Sequence, residues 1–193
     1  MKLYANPTSP FVRIVRMALI EKGLDGDVET VSVDAWGDDP AFFDANPAGR
    51  VPTLVTDDGA RLTEALLILH HLDAIRPTPP VLTGAALACA GIAVGVFDAA
   101  VAIVIGRKVS PDFDTGLVGS KRFRTLHDGL RRVDATLPAD GPFDIAPMAT
   151  ITALDYLQLR FPDRDWGNLA PKIAARRDAE GQRRSVRETA PTA

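Results

Sequence analysis

A cluster of prolines in the middle of this chain divides the sequence into two parts of different character. Three prolines fall within residues 77–80, which favours a stiff, extended linker over a helix or a strand. Before the cluster, short runs of strand character alternate with helical runs. After it, every predicted element is a helix. We therefore predict two domains, at residues 1–76 and 84–193, joined by a linker at residues 77–83.

The first part has the order of elements expected for a small α/β domain. Apolar spacing and stop signals predict a strand at 2–5, a helix at 10–22, a strand at 28–33, a short helix at 40–45, strands at 53–56 and 61–63, and a helix at 64–75. Asp57-Asp58-Gly59 between the last two strands indicates a hairpin, because Asp and Gly both tolerate positive φ. This order predicts a sheet that mixes parallel and antiparallel strands.

The second part predicts an all-helical domain. Its helices are expected at about residues 84–107, 119–136, 145–160 and 168–180, with a loop at 107–119 and a polar, irregular tail from residue 181. Asp144 is a plausible N-cap for the third of these helices, and Pro147 is tolerated in its first turn.

The first of these helices is apolar on nearly all sides. Residues 85–106 carry one charged side chain, Asp98, and approach the length of a membrane span. Alanine and glycine dominate the stretch, and a carboxylate inside lipid is costly, so we interpret it as a helix buried between protein surfaces. We expect it to pack against the first domain on one side and against a second subunit on the other.

The composition excludes several classes of function. A formal net charge of −3 gives no general attraction to nucleic acid or to an anionic membrane. The single cysteine, Cys89, excludes an intrachain disulfide and a cysteine-rich metal site, and we expect it to be buried. The adjacent His70 and His71 lack metal-ligand spacing. We expect no metal, nucleic-acid or membrane partner and, because the first residues read as a strand rather than as a signal peptide, a cytoplasmic location.

Ser9 is the first candidate for chemistry. A serine followed by Pro10 is a common helix start, with the serine as N-cap and the proline at the first helical position. A hydroxyl at that point also lies beside free backbone N–H groups and the positive end of the helix dipole. Such surroundings stabilise a thiolate. Ser9 could therefore donate a hydrogen bond to the sulfur of a bound thiol cofactor as well as start the helix.

Two segments, read together, resemble the thioredoxin-like N-terminal half of the glutathione transferases. They are Thr8-Ser9-Pro10-Phe11-Val12-Arg13 and Asn46-Pro47-Ala48-Gly49-Arg50-Val51-Pro52-Thr53-Leu54-Val55. The first is similar to the serine-type bacterial members of that family, in which the serine activates the thiol of glutathione, so the resemblance assigns this role to Ser9. A glutaredoxin-like site would have cysteines at Ser9 and Val12, so dithiol exchange is not expected.

The resemblance also implies a set of glutathione-binding residues: Phe11, Arg50, Val51, Pro52, Glu64 and Ala65. It implies a cis Val51–Pro52 peptide bond, with the backbone of Val51 pairing with the cysteinyl backbone of glutathione like an added strand. Arg50 is expected either to reach the glycine carboxylate of glutathione or to face solvent. Glu64 is expected to contact the γ-glutamyl ammonium or, alternatively, only to complement a helix dipole.

Ala65 departs from the family pattern, in which a serine follows the glutamate. The missing hydroxyl removes one hydrogen bond to the γ-glutamyl carboxylate, worth about 1.5–3 kcal/mol. The backbone N–H groups of the helix start remain, and a neighbour such as Thr63 could compensate. Tyr4, a residue type that other classes use in place of serine, lies inside the first strand and is expected in the core.

The resemblance implies a thioredoxin-like α/β domain with a mixed four-stranded sheet, followed by an all-α domain. It implies a cytoplasmic homodimer that conjugates glutathione, its co-substrate, to small hydrophobic electrophiles in detoxification. A non-catalytic protein-interaction scaffold and a glutathione-dependent peroxidase or lyase on the same fold remain alternatives. Four residues are candidates for the hydrophobic substrate pocket, the last two being better candidates for its wall than the first two but expected above all as core: Trp36, Phe113, Phe97 and Val101.

Overall fold

The computed structural model describes residues 1–34 and 36–192 and contains two compact units. The first unit comprises Met1–Leu82 together with Gln182–Ala193, and the second comprises Thr83–Gly181. The division between the two units falls between Leu82 and Thr83. The end of the chain differs from the prediction, because the residues from Gln182 onward belong to the first unit instead of the helical one.

The first unit is built on a mixed four-stranded sheet, as predicted. Its strands are β1 (Lys2–Ala5), β2 (Glu29–Ser32), β3 (Thr53–Val55) and β4 (Arg61–Thr63), in the spatial order β2-β1-β3-β4. β1 is parallel to β2 and antiparallel to β3, which in turn is antiparallel to β4.

The register of this sheet decides where the loops meet. Tyr4 pairs with Thr53, and Thr53 pairs with Thr63, so the three residues form one row across β1, β3 and β4. Neighbouring strands lie about 4.8 Å apart. The segments that follow β1, precede β3 and follow β4 therefore emerge side by side at one edge of the sheet.

Three helices of the first unit connect these strands: α1 (Pro10–Glu21), α2 (Pro40–Ala45) and α3 (Ala65–Ile75). α1 begins after Ser9 and ends before Gly23, whose φ of 61° lies in the region that glycine tolerates best. α2 begins after Asp39, whose carboxylate accepts the N–H groups of Ala41 and Phe42. α1 and α3 pack against each other.

Tyr4 lies in the core of the first unit, as predicted. Its side chain is 8% exposed, and its ring centre lies 5.7 Å from that of Phe42 on α2. The two rings belong to a buried cluster with Val33 and Ala45.

The second unit consists of helices in its described part: α4 (Leu87–Val109), α5 (Leu117–Thr136), α6 (Ile145–Arg160), α7 (Trp166–Leu169) and α8 (Pro171–Glu180). The prediction of one helix at 168–180 is wrong, because Pro171 cannot donate a backbone hydrogen bond and disfavours helical geometry at Ala170. Asp144 is the N-cap of α6, as predicted, and accepts the N–H of Ala146 at 3.0 Å.

α4 is long and apolar enough to cross a membrane by length and composition, a test that the core helix of a soluble protein also passes. It packs against α5 and α6 within the second unit. Cys89 and Phe97 are buried on that side, whereas Leu87, Ile105 and Val109 are exposed. The helix thus has one apolar side inside the unit and an exposed side that carries these three residues together with the charged Asp98.

The C-terminal segment forms a short helix, α9 (Arg184–Glu188), where the sequence predicts an irregular tail. Glu21 of α1 accepts hydrogen bonds from Arg183 and from the hydroxyl of Ser185. Ser185 and the neighbouring Val186 are buried. The segment is polar by composition, but these contacts with α1 order it, and only the folded first unit supplies them.

Candidate functional site

The loop between β1 and α1 presents Ser9 at the edge of the sheet. Its turn begins at Asn6, whose side-chain oxygen accepts the N–H of Thr8 at 3.0 Å and the Thr8 hydroxyl at 2.9 Å. The backbone carbonyl of Asn6 accepts the N–H of Ser9 at 3.0 Å. A side chain that closes its own turn in this way sets the direction in which the chain enters the helix.

Ser9 is the N-cap of α1, as predicted. Its backbone is extended, and its Oγ accepts the N–H of Val12 at 3.4 Å, which leaves the hydroxyl proton without an acceptor among the described residues. The side chain is half-buried. The hydroxyl can therefore donate to an anion at the positive end of α1 while it still caps the helix.

The loop before β3 begins with a second Asn-Pro turn. The Asn46 side-chain oxygen accepts the N–H of Ala48 at 3.0 Å, and its amide group donates to the carbonyl of Arg50 at 2.9 Å and to Thr53 Oγ1 at 3.0 Å. Asn46 is 4% exposed, so water does not replace these bonds. Gly49 has a φ of 61°, and a Cβ there would lie 2.9 Å from the Phe43 ring. The turn is thus fixed both by hydrogen bonds and by close packing.

The Val51–Pro52 peptide bond is cis, as predicted. Pro52 alone separates Val51 from β3, and no other part of the described chain hydrogen-bonds to the backbone N–H or C=O of Val51. Both groups are therefore available to an extended peptide lying along this edge of the sheet.

The third segment is the start of α3. Glu64 precedes the helix with a φ of 66°, a conformation rare in residues other than glycine. Its carbonyl accepts the N–H groups of Leu67 and Ile68, whereas those of Ala65 and Leu66 have no helical partner. These free N–H groups and the helix dipole form a site suited to a carboxylate.

Arg50 and Glu64 form an ion pair, with 3.2 Å between Arg50 Nη1 and Glu64 Oε1. Their side chains are 62% and 54% exposed, so the pair contributes little to stability. The resemblance assigns these residues to opposite ends of glutathione, and the structure brings them together at the mouth of the site. Ala65 is 3% exposed and forms the floor beside them.

The remaining sequence candidates, predicted for a hydrophobic substrate pocket, are divided between the two units. Trp36 is 61% exposed in the loop before α2. Phe113 belongs to the second unit, where its ring covers Gly106 on α4, and Phe97 is fully buried in the core of that unit. Among the described residues there is no group of three side chains that could ligate a metal.

Sequence reasoning identified the turn at Asn46 but missed the hydrogen bonds by which the Asn6 and Asn46 side chains close the two loops of the site. The signal was present, because an asparagine followed by proline and another residue favours a turn closed by the asparagine side chain. It also missed Lys22, whose side chain is fully buried against Asp73. No local pattern indicates that contact.

Comparison with known proteins agrees with this geometry. The family model described as "Glutathione S-transferase, N-terminal domain" matches residues 8–75. The crystal structure of a glutathione S-transferase from Methylobacillus flagellatus KT with glutathione bound is 31% identical, with a TM-score of 0.88 over 99% of both chains.

Two curated relatives match a shorter stretch. Glutathione S-transferase 2 of Saccharomyces cerevisiae is 37% identical over 87 residues, and the maleylacetoacetate isomerase of Pseudomonas aeruginosa is 37% identical over 86 residues. These matches cover 44% and 43% of this chain but only 37% and 41% of the relatives. The full-length similarity to the Methylobacillus enzyme and the match of the N-terminal model lead to one conclusion: this chain is a member of the glutathione S-transferase family.

Proposed function

We propose that this protein binds glutathione at the sheet edge formed by Ser9, Val51 and the start of α3, and transfers its thiolate to small hydrophobic electrophiles. The observation that carries the proposal is the Ser9 hydroxyl, which caps α1 and keeps a proton to donate. The glutathione bound to the Methylobacillus relative supports the choice of thiol.

In this proposal Ser9 acts on the sulfur. Free thiols have a pKa of about 8.5, and a helix N-terminus together with a hydrogen-bond donor favours the thiolate. The proton lost by the thiol passes to solvent. The thiolate then attacks an electrophilic carbon, a C–S bond forms, and the leaving group departs with its bonding electrons.

The rest of the site binds the ends of the tripeptide. The backbone of Val51 pairs with the cysteinyl residue, with Phe11 and Pro52 beside it. The free N–H groups at the start of α3 accept the γ-glutamyl carboxylate, and Glu64 attracts its ammonium. Arg50, which pairs with Glu64 in the free protein, turns toward the glycine carboxylate at the opposite end of glutathione.

A second candidate function is a non-catalytic scaffold for protein interaction. Ala65 favours the scaffold function, because the side chain at this buried position is a methyl group, whereas the family pattern has a hydroxyl that would bind the γ-glutamyl carboxylate. Isomerase, peroxidase and lyase chemistry would use the same thiolate. These reactions differ in the electrophile, and the residues that bind glutathione do not determine which electrophile reacts.

Calorimetric titration with glutathione and conjugation to a chlorodinitrobenzene test the proposal. The Ser9→Ala variant should raise the pKa of the bound thiol and lower kcat/KM about a hundredfold. Asp39→Ala is the matched control, since it removes the N-cap of α2 and should cost a similar ~1 kcal/mol of stability without changing the thiol. Absence of binding at millimolar glutathione would favour the scaffold, and full turnover in Ser9→Ala would remove Ser9 from the mechanism.

The proposal includes a homodimer in the cytoplasm. The exposed apolar side of α4, with Leu87, Ile105 and Val109 exposed by 49%, 40% and 78%, supports a second copy as its cover. Sedimentation equilibrium should give the mass of two chains, and Ile105→Lys should give one. A reducing compartment suits both the free Cys89 and the thiol substrate, and cell fractionation tests the location.

A further inference from the structure

We propose that the buried ion pair between Lys22 and Asp73 is a positioning device that fixes the register of α1 against α3. It would thereby set the spacing between the two helix N-termini that bind glutathione. Lys22 and Asp73 lie at the C-terminal ends of α1 and α3, away from the proposed glutathione site. Its consequence for catalysis rests on the proposed function.

The pair is fully satisfied by hydrogen bonds. Lys22 Nζ lies 2.6 Å from Asp73 Oδ1, 2.6 Å from the carbonyl of Arg76 and 2.7 Å from that of Pro79. These three acceptors match the three donors of an ammonium group. The Lys22 side chain has no exposed surface, so water cannot take the place of any of them.

Asp73 is held equally firmly. Besides Lys22, its carboxylate accepts the N–H of Val81 at 2.9 Å and of Leu82 at 2.7 Å. Burial alone would raise the pKa of Asp73, but the hydrogen bonds from Lys22 and from these two N–H groups outweigh it and hold the pKa below its ordinary value. The carboxylate therefore remains charged at neutral pH.

The position of the pair gives it a role beyond local stability. Lys22 follows the last residue of α1, and Asp73 lies in the last turn of α3. α1 follows β1 and α3 follows β4, strands that run toward the same edge of the sheet, so both helices start at the glutathione site and end at the pair. A third contact, from Arg76 Nη1 to the Lys22 carbonyl at 3.2 Å, joins the same two ends.

The ion pair fixes the register of α1 against α3, which the apolar contact between the two helices does not fix by itself. The buried faces of α1 and α3 are aliphatic and include Val15, Leu19, Ile68 and Leu72. Aliphatic ridges can pack in more than one register. An ammonium group that donates to three fixed acceptors keeps all three hydrogen bonds in one register only. A displacement of about 1 Å at the site can reduce the rate of a positioned reaction substantially.

The test compares wild type with Lys22→Met combined with Asp73→Asn, which removes both charges and keeps an acceptor for one of the two linker N–H groups. Dipolar couplings between one spin label on the exposed face of α1 and one on that of α3 report the distance between the labelled positions, which changes with the register. We expect this distance to change and the Kd for glutathione to rise about tenfold, with the pKa of the bound thiol unchanged because the Ser9 cap is intact. If the double variant does not fold, Lys22→Arg keeps the charge but presents a planar donor group to the same acceptors, and it should shift the couplings in the same way.

Ile103→Ala, a core truncation in the second unit, is the control for lost stability and should leave both the couplings and the Kd unchanged. Unchanged couplings in the Lys22 and Asp73 variants would overturn the inference, as would an equal rise in Kd for Ile103→Ala. If wild type binds no glutathione, the proposed function fails, and the couplings still decide whether the pair fixes the register.

Discussion

Asn6 and Asn46 make the same two hydrogen bonds in different loops. Each accepts the N–H of the residue two positions later on its side-chain oxygen, at 3.0 Å, and the N–H of the residue three positions later on its backbone carbonyl. Each is followed by proline. One turn leads to Ser9, which is proposed to bind the thiol of glutathione, and the other leads to Val51, which is proposed to pair with its backbone. The same type of turn therefore positions both residues.

The first prediction concerns Asn46, which makes more bonds than Asn6. Asn46→Ala removes its hydrogen bonds to Ala48, Arg50 and Thr53 from a buried position, and we expect a loss of about 1–3 kcal/mol in the free energy of unfolding. The Kd for glutathione should rise as the loop that carries Val51 loosens. Urea unfolding and calorimetry measure the two effects.

Asn46→Asp is the matched variant. It keeps the acceptor for Ala48 but places a buried carboxylate oxygen against the carbonyl of Arg50, so its loss of stability should exceed that of Asn46→Ala. Wild-type stability in Asn46→Ala would show that the turn forms without the side chain.

The second prediction restores the hydroxyl at the start of α3. Ala65→Ser places a donor beside the free N–H groups of Ala65 and Leu66, and glutathione should bind about tenfold more tightly. The free protein should gain no stability, because the new hydroxyl is buried until the ligand binds. Ala65→Cys, of similar shape with a weak donor, is the control. Equal Kd values for wild type and Ala65→Ser would mean that another group already compensates.

The third prediction concerns the C-terminal segment. Ending the chain at Gly181 exposes the surface of α1 against which Val186 is buried and removes the partners of Glu21. We expect the first unit to lose about 2 kcal/mol, since burial of one valine contributes most of that and the ion pairs little. Differential scanning calorimetry measures the loss.

A synthetic peptide of residues 182–193 should restore part of that stability. Arg187→Ala is the control, because the Arg187 side chain is 58% exposed and its substitution should leave the unfolding temperature unchanged. If the truncated protein unfolds at the same temperature as wild type, the C-terminal segment does not contribute to the stability of the first unit.

Local signals account for most of what could be predicted from the sequence. The caps at Ser9 and Asp144 and the hairpin at residues 57–59 depend on residues that are neighbours in the chain, and the structure has all three. The break before Pro171 was equally local and was overlooked, because the apolar spacing continues through it.

Contacts between distant residues could not be predicted. Lys22 and Asp73 are each ordinary charged residues on a helix face until α1 and α3 pack together. The tail around Ser185 is polar by composition, and contacts with distant residues, among them the carboxylates of Glu21 and Asp25, hold it in place. The Arg50–Glu64 pair likewise depends on the sheet register that brings two loops together.

The last prediction concerns the pH dependence of the second unit. His127 lies with its ring centre 5.1 Å from that of Trp166, and its Nε2 lies 2.8 Å from Nη1 of Arg164. Burial lowers the pKa of His127 below 6.5, and the nearby charges of Arg164 and Arg131 lower it further, with Asp128 acting in the opposite direction. The folded protein thus favours the neutral ring, which accepts the hydrogen bond of Arg164.

The sign of the effect follows from proton binding. As the pH falls below 6.5, the unfolded chain takes up a proton at this histidine before the folded protein does, so the free energy of unfolding decreases until the folded ring is also protonated. His127→Gln can still accept from Arg164 but does not titrate, and it should flatten the stability curve in that window. Urea unfolding between pH 7.5 and 5 measures the slope. A His127→Gln curve parallel to wild type would show that protonation of this ring is not linked to folding.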